Sequence, residues 1–592
     1  MLKKFFQQLL SSFMGAWLAM VLFGAVAVIV IISLVASQGK EQTERITGNS
    51  IMCLNLKGTI DETEGSAEFS YPALLSGNIE RPQSLRTLVK GLKEGANNRD
   101  IKALYIKCDG ASAAPATLHA LRDAVLDFKK SGKKVIAYAD SYSQGDYYVA
   151  SAADSVMLNR NGSVALHGIS GTTLYYKDLL DKIGVTFQVF KVGTYKSAVE
   201  PVLLNEMSVP ARAQLDTLYR EMWNFMGDEI AGSRKMKLAD IDSLVNSVIM
   251  LRDADAALSA KLVDRLINKR NVDDILARAA GVDADDLNIV SAAAVANSAV
   301  DIARGSDNQV AVLYACGEIA EGSKDGIDCE KLVPIITDLA DDDDVKALVL
   351  RVNSPGGSVF GSAEIGEALD YFKSKKKPVI VSMGDYAASG GYWISCCADK
   401  IYADPLTITG SIGIFGMIPQ FTGLARNLGI SPQTVNTHAD GSYPNVFNPM
   451  TEAQCQVMQA SIEDLYGKFI IRVATGRKMK AEDVEKIAEG RVWNAIMAKK
   501  LGLVDELGSL DTAIAEAAKR AGVPDRYNVS VYPEAESSLL DMISELQNDR
   551  SMNALAKALG QQYDIRLIYS VQRLLNRSHA QALMPVIIFD YQ

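Results

Sequence analysis

The sequence predicts two copies of an α/β domain, each with a mostly parallel, helix-covered sheet, behind one N-terminal transmembrane helix. Three observations lead to this fold class. A long uncharged segment lies near the N-terminus, similar segments recur about 240–260 residues apart, and short apolar runs alternate with segments of helical periodicity. Such alternation of strands and helices is typical of parallel sheets covered on both faces. A chain of 592 residues is long enough for two domains with large cores.

The uncharged segment, residues 13–36, contains 24 residues. As a helix it would rise about 36 Å, which exceeds the roughly 30 Å hydrocarbon core of a bilayer. Lys3 and Lys4 precede it, so residues 1–12 are predicted to lie in the cytoplasm. A cleaved signal peptide is the alternative, but its apolar run would be about 7–15 residues long with small residues before the cut. Leu34 and Val35 stand there instead, which favours an uncleaved anchor.

The chain contains an internal duplication. The offset between matching segments falls from 259 to 244 along the chain, which places about 15 extra residues of the first copy within 61–100. Self-similarity over such distances indicates a repeated architecture. The matching pairs are 50–60 with 309–319, 101–107 with 345–351, 134–140 with 378–384, and 262–282 with 503–523.

Each copy is predicted to contain strand-helix-strand units. Residues 347–352 form a continuous apolar run of strand length, 363–374 have helical periodicity, and 378–383 form a second strand. We place the first domain at 47–300 and the second at 301–535, with 295–308 as the linker. The tail, 536–592, is expected to be partly helical. Its apolar residues 583–589 are typical of a strand or an interface segment.

Composition argues against several classes of protein. The net charge of −10, without a basic stripe, argues against nucleic acid as a partner. Seven scattered cysteines without a CxxC pair argue against a disulfide framework or a structural zinc site. A single disulfide in an oxidising compartment stays open. We predict no metal and no cofactor.

Chemistry is expected where the two copies differ. Residues 353–358, Asn-Ser-Pro-Gly-Gly-Ser, follow a predicted strand, and the glycine pair can present bare N–H groups to an oxyanion. Residues 109–114 of the first copy lack the proline and the glycine pair. An ordinary turn is the alternative interpretation.

Ser389 lies in the segment 385–393, Asp-Tyr-Ala-Ala-Ser-Gly-Gly-Tyr-Trp, between a predicted strand and a predicted helix. A serine on such a turn is exposed for attack, and a helix N-terminus favours developing negative charge. A simple helix N-cap is the alternative. At the same offset the first copy has Gly145.

A nucleophilic Ser389 needs a base, and the chain has only four histidines. His438, in a polar loop, is the nearest of them in sequence, so a histidine-based site stays open. Lys196 is the other candidate, because burial can lower a lysine pKa from about 10.4 towards neutrality. The matching stretch of the second copy, 435–449, has no lysine or arginine. One copy thus carries the lysine, and the other carries the serine and the glycines.

These motifs resemble those of the signal peptide peptidase A (protease IV) family, bacterial membrane-bound Ser-Lys peptidases, in its long form. The resemblance covers nearly the whole chain and is most specific at 193–201, 353–358, 388–393 and 409–414. It implies tandem domains with a fold similar to Clp protease and crotonase, made of repeated β-β-α units. It also implies that Ser389 is the nucleophile, that Lys196 is the general base, and that Ser411 hydrogen-bonds the lysine.

The resemblance further implies an oxyanion hole, a class of substrates, an oligomeric state and a cellular location. The N–H groups of Gly357 and Gly390, with Gly356 as a further candidate, would bind the oxyanion. The implied substrates are cleaved signal peptides left in the bilayer and other hydrophobic peptides. The implied protein is a single-pass homotetramer of the bacterial inner membrane, with its catalytic part on the periplasmic side.

Rival interpretations remain at this point. Lys191 is a competing base outside the matching motif position. Glu200, four residues after Lys196, would raise the lysine pKa as an ion-pair partner and is therefore expected to point elsewhere. The rival functions are a crotonase-like acyl-CoA enzyme, a catalytically silent membrane scaffold, and a Ser-His hydrolase that uses His438.

Overall fold

The computed structural model describes residues 44–63, 82–298, 307–323, 326–438, 440–443, 445–533 and 581–584. The predicted anchor, 13–36, lies outside these residues, as do part of the predicted linker and most of the tail. None of the helices in the described ranges is long and apolar enough to cross a membrane.

The first copy is built on a seven-stranded sheet in which all neighbouring strands are parallel. The strands of the first copy are β1 (Ser50–Asp61), β2 (Gln83–Ser84), β3 (Ile101–Ser112), β4 (Lys134–Ala139), β5 (Ser155–Asn159), β6 (Thr186–Lys191), β7 (Arg265–Ile267) and β8 (Ile289–Ser291). All of them except β6 belong to this sheet. The order across the sheet is β2-β1-β3-β4-β5-β7, and β8 pairs with β1. The predicted parallel sheet is confirmed.

Helices separate these strands and cover the sheet. They are α1 (Leu85–Asn97), α2 (Pro115–Lys129), α3 (Gln144–Ala150), α4 (Lys177–Ile183), α5 (Glu200–Leu203), α6 (Val209–Arg234), α7 (Leu238–Asn246), α8 (Ala254–Ser259), α9 (Val272–Ala280) and α10 (Ala292–Ser298). Strand β4 is buried after its first residue, and β3 is buried at 103–106, as parallel strands with helices on both faces are.

The second copy contributes an eight-stranded sheet and most of a smaller one. Its strands are β9 (Gln309–Cys316), β10 (Val345–Ser354), β11 (Gly356–Ser358), β12 (Val379–Ala388), β13 (Lys400–Ala403), β14 (Ile408–Gly410), β15 (Phe415–Gln420), β16 (Val492–Asn494), β17 (Glu506–Leu507), β18 (Asn528–Tyr532) and β19 (Gln581–Leu583). The large sheet has the order β16-β14-β12-β10-β9-β18, with β13 joining β12 to β17. Only its β14–β16 pair is antiparallel.

The helices of the second copy are α11 (Cys329–Asp341), α12 (Val359–Ser374), α13 (Gly390–Ser395), α14 (Thr422–Asn427), α15 (Glu452–Arg477), α16 (Ala481–Ile487), α17 (Ala495–Lys500) and α18 (Leu510–Arg520). The strand predicted at 347–352, the helix at 363–374 and the strand at 378–383 correspond to β10, α12 and β12. Each of the three elements extends further than the sequence signal.

The duplication is visible in the details of the structure. Helices α6 and α15 each have 26 residues, begin after a capping Ser208 or Thr451, and end at a lysine in the left-handed conformation, Lys235 or Lys478. The extra residues of the first copy fall between β1 and α1, within the predicted range 61–100.

The two copies are docked against each other through apolar and polar contacts. The hydrophobic core of the first copy also takes in Ala388 and Ile408 of the second. Glu62 forms a buried ion pair with Arg351, at 2.6 Å. Strand β6 of the first copy joins the four-stranded antiparallel sheet β11-β19-β15-β6 of the second. This last pairing carries the chain of the first copy towards Ser389.

Candidate active site

Ser389 stands alone between strand β12 and helix α13. Its backbone has φ 56° and ψ −115°, a conformation that residues other than glycine rarely adopt. Two hydrogen bonds hold it there: its N–H donates to the carbonyl of Gly410 at 2.8 Å, and its carbonyl accepts from the N–H of Trp393 at 2.8 Å. Strained backbone that the surroundings hold in place is a frequent feature of functional sites.

The residue of the first copy that corresponds to Ser389 is Gln144. The hydroxyls of Tyr147 and Tyr392 donate to the carbonyls of matching leucines, at 2.7 and 2.9 Å, so these two tyrosines are equivalent. Counting back from them pairs Ser389 with Gln144, and the prediction of Gly145 was wrong by one residue. The second copy has one residue more between residue 384 and Tyr392 than the first has between residue 140 and Tyr147, and the constant offset did not allow for it.

Lys196 lies against Ser389 within one chain. Its Nζ is 2.8 Å from Ser389 Oγ, 3.1 Å from the carbonyl oxygen of Ser411 and 3.1 Å from Ser411 Oγ. All three residues are fully buried. The expectation that the turn exposes Ser389 was therefore wrong, because both copies pack around it. The structure thus brings together the three side chains that the sequence singled out, although Lys196 and Ser389 are 193 residues apart in the sequence.

Burial lowers the pKa of Lys196 well below its usual range, because removing an ammonium group from water penalises its charged form. Glu200 does not offset this effect, since its carboxylate accepts hydrogen bonds from the N–H and the hydroxyl of Ser208. The expectation that Glu200 points elsewhere is confirmed. Lys191, the competing base, lies at the end of β6 with an exposed side chain.

A turn of the second copy, residues 489–491, clamps the Lys196 segment. The N–H of Tyr195 donates to the carbonyl of Glu489 at 2.9 Å. Gly490 has φ +75°, and a Cβ there would lie 2.7 Å from Lys196 Cβ. The backbone of this turn also accepts from the N–H of Ser411, at 2.7 Å through the carbonyl of Arg491. The same turn therefore positions both Lys196 and Ser411.

Sequence reasoning missed this turn. A glycine shortly after the end of helix α16 is an ordinary helix-termination signal, and nothing in it indicates contact with a lysine almost three hundred positions earlier. Only the tertiary structure reveals the role of Gly490.

The glycine loop approaches the nucleophile from the other side. A Cβ at Gly390 would lie 3.1 Å from the N atom of Gly357 and 3.2 Å from the Cα of Gly356, so the two backbones are in close contact. The N–H of Gly356 already donates to Ser354 Oγ at 3.2 Å. Gly357 and Gly390 therefore stay the predicted pair of oxyanion donors.

His438 has no part in this arrangement. Its side chain is exposed, and its Nδ1 lies 3.0 Å from Thr437 Oγ1. The seven cysteines all fall in the described ranges and all carry free thiols, so the open possibility of one disulfide is not realised.

One side-chain group in the described part of the chain has the composition of a metal site: His119, Asp123 and Glu229. His119 Nδ1 lies 2.6 Å from Asp404 Oδ2 of the second copy. Burial alone would lower the pKa of His119, but Asp404 and Glu229 outweigh it and raise the pKa to about 10. The contact with Asp404 makes the group part of the ionic contacts between the copies.

Comparison with known proteins agrees with the fold and the duplication. The model of Peptidase family S49 matches residues 127–283 and again 371–524, and the model of Clp protease matches residues 318–406. The chain is 36% identical to "Protease 4" of Haemophilus influenzae over 513 residues, which are 84% of this chain and 83% of that protein.

Two further relatives cover similar spans. "Protease 4" of Salmonella typhi is 37% identical over 475 residues, 78% of this chain and 76% of that protein. "Serine protease SPPA, chloroplastic" of Arabidopsis thaliana is 25% identical over 539 residues, 87% of this chain and 77% of that protein. The molecule is thus a protease with a Clp protease-like α/β fold in two copies. Its chain belongs to peptidase family S49, the family of signal peptide peptidase A and protease IV.

Proposed function

We propose that the protein is a membrane-anchored serine endopeptidase, with Ser389 as nucleophile and Lys196 as general base, that hydrolyses signal peptides left in the membrane after their cleavage. The observation that carries the proposal is the contact of 2.8 Å between Lys196 Nζ and Ser389 Oγ in a fully buried site. A buried lysine without a carboxylate partner is available as a neutral base.

Acylation begins with proton transfer. Neutral Lys196 takes the proton of Ser389 as Oγ attacks the scissile carbonyl carbon, and the carbonyl oxygen becomes an oxyanion. The N–H groups of Gly357 and Gly390 donate to this oxyanion, whose charge such preorganised donors stabilise. The lysine ammonium then donates its proton to the leaving amine, which departs and leaves an acyl ester on Ser389.

Deacylation repeats these roles with water. Lys196 removes a proton from a water molecule as its oxygen attacks the ester carbon, and the proton is returned to Ser389 Oγ when the acid product leaves. Ser411 holds Lys196 Nζ through both steps, with its carbonyl and its hydroxyl each at 3.1 Å. No cofactor enters this scheme.

The substrate and the location rest on the sequence and the relatives. The predicted anchor at 13–36 would keep the catalytic part at the membrane surface, and Lys3 and Lys4 favour the periplasmic side of a bacterial inner membrane for it. Membrane-bound signal peptides fit such a site because they are short, apolar and confined to the same surface. We further propose a homotetramer, which sedimentation of the detergent-solubilised protein tests.

Hydrolysis of a fluorogenic signal peptide by the full chain, in detergent and in lipid vesicles, tests the proposal. Ser389→Ala and Lys196→Ala are each expected to reduce the rate to background, while His438→Ala is the matched control and should retain the wild-type rate. Full activity of Lys196→Ala would refute the dyad, and activity in both dyad variants would refute the peptidase. A preference for soluble peptides over vesicle-bound ones would refute the substrate.

A further inference from the structure

A buried histidine of the first copy faces two carboxylates. His119 and Asp123 lie four positions apart on helix α2 and therefore share one face of it. Glu229 reaches them from helix α6. His119 Nε2 is 3.8 Å from Asp123 Oδ1 and 3.7 Å from Glu229 Oε1, and one possible ligand atom of each residue lies within 4.8 Å of the other two. The three side chains thus converge on one point.

The two distances from His119 Nε2 fit two ligands of one ion better than a donor and an acceptor. Both exceed the hydrogen-bond range of about 2.7–3.2 Å. A tetrahedral Zn²⁺ ion holds nitrogen and oxygen ligands at about 2.0–2.2 Å, which separates neighbouring ligand atoms by about 3.3–3.6 Å. The observed distances differ from that spacing by at most about 0.5 Å. Asp123, whose side chain is 58% exposed, has room to adjust.

Two contacts fix the imidazole ring of His119 in one orientation. Its Nδ1 lies 2.6 Å from Asp404 Oδ2 of the second copy, and Asp404 Oδ1 accepts from the N–H of Leu406 at 2.9 Å. The ring also packs edge-on against Phe225, with the ring centroids 5.2 Å apart. A carboxylate that binds one ring nitrogen while the other nitrogen binds metal is a recurring arrangement, because it fixes the tautomer and the direction of the ligand.

Glu229 has one oxygen available for an ion. Its Oε2 accepts from the hydroxyl of Tyr148 and lies 3.7 Å from Arg122 Nε, which leaves Oε1 directed at His119. Three carboxylates, with that of Asp404, meet two positive groups in this cluster, the imidazolium and Arg122. One negative charge is therefore in excess. A divalent ion that replaces the imidazole proton at Nε2 removes this excess, because metal binding releases the proton of its ligand.

We propose that His119, Asp123 and Glu229 bind a Zn²⁺ ion at the interface between the two copies. One imidazole nitrogen and two carboxylate oxygens are donors that Zn²⁺ accepts, with water in the fourth position, and the half-exposed Asp123 lets the ion enter. The sequence predicted no metal because Glu229 lies far from helix α2 along the chain. Thr117 of the same helix donates to Asp385 of the second copy, so a bound ion stabilises a helix that docks the copies.

Zinc binding is measured on the full chain with Ser389→Ala, so the result does not depend on the proposed peptidase function. The detergent-solubilised protein is stripped with a chelator, dialysed, and titrated with Zn²⁺ against a chromophoric zinc indicator. Co²⁺ serves as a spectroscopic probe of the same site. Asp123→Asn removes a ligand, and Asp404→Asn removes only the carboxylate that orients the imidazole. Asp127→Asn, one turn further along helix α2 with a side chain 71% exposed, is the matched control.

We expect the parent and Asp127→Asn to bind one Zn²⁺ ion per chain with the same affinity. Asp404→Asn should bind it about 10- to 100-fold more weakly, and Asp123→Asn at least as weakly. Zn²⁺ should raise the melting temperature of the parent and the control, and raise that of Asp123→Asn less. Equal binding by the parent and a folded Asp123→Asn, or no saturable binding by the parent, would overturn the proposal. A Co²⁺ spectrum with thiolate charge-transfer bands would place the ion at a cysteine and overturn it as well.

Discussion

Substitution of Gly490 by alanine should impair catalysis without touching either member of the dyad. Gly490 has φ +75°, and an added Cβ would lie 2.7 Å from Lys196 Cβ, 2.8 Å from its N and 2.9 Å from its Cα. Ordinary contacts between carbon atoms are about 3.5–4.0 Å. The backbone of Lys196 must therefore shift by about 1 Å, because no side-chain rotation can relieve a clash with backbone atoms.

The shift sets the size of the expected effect. A displacement of about 1 Å in a catalytic group can cost on the order of 100-fold in rate, so Gly490→Ala should lower kcat for the fluorogenic signal peptide by about that factor. The left-handed conformation adds a stability cost of about 1–2 kcal/mol for any residue with a Cβ, and thermal melting of the variant measures it.

A second glycine serves as a control that separates the effect of displacing Lys196 from the effect of backbone strain. Gly522 also has φ +75°, but nothing lies within 4 Å of its added Cβ. Gly522→Ala should therefore lose a similar amount of stability and keep the wild-type kcat. If Gly490→Ala is folded and retains more than about half of the wild-type rate, the contact between this turn and Lys196 does not position the base, and the reasoning is refuted.

Three further predictions concern neighbouring groups. Lys196→Met should abolish hydrolysis. Because burial lowers the Lys196 pKa, the unfolded state binds more protons than the folded state between that pKa and about 10.4. In urea denaturation the stability of the wild type should therefore rise with pH across this window, and that of the variant should not. Ser411→Ala removes one of the two Ser411 contacts to Nζ and should lower kcat about 10- to 100-fold with KM unchanged; an unchanged kcat would contradict the role of its hydroxyl. Burial raises the pKa of Asp385 to about 6, so the wild type should lose stability as the pH rises from about 4 to 6, and Asp385→Asn should abolish this slope in urea midpoints.

Local signals in the sequence were sufficient for much of the second copy. The apolar run of β10, the glycine loop and the Ser389 turn are adjacent along the chain, and each is defined by its own residues. Comparison of the copies then singled out Lys196, because the matching stretch had no lysine or arginine. These parts were predictable since neither the strands nor the motifs depend on how distant segments meet.

The remaining features depend on tertiary contacts that have no local signal. The one-residue difference that pairs Ser389 with Gln144 is visible only through equivalent hydrogen bonds of two tyrosines. The clamp at Gly490 has the sequence of an ordinary helix end. The apolar residues near 583 predicted a strand or an interface segment, but no local signal predicts that β19 lies between β11 and β15.

Because Lys196 and Ser389 belong to different copies, the distance between them depends on how the two copies dock. The docking contacts lie close to both reactive groups. On the lysine side, β6 pairs with β15 up to Lys191, five residues before Lys196. On the serine side, Asp385, four residues before Ser389, accepts hydrogen bonds from the N–H and hydroxyl of Thr117 in the first copy, at 2.9 and 2.8 Å. A small change in docking therefore moves the two groups relative to each other. Since catalysis tolerates much less displacement than folding does, loosening either contact should lower kcat before it lowers the melting temperature.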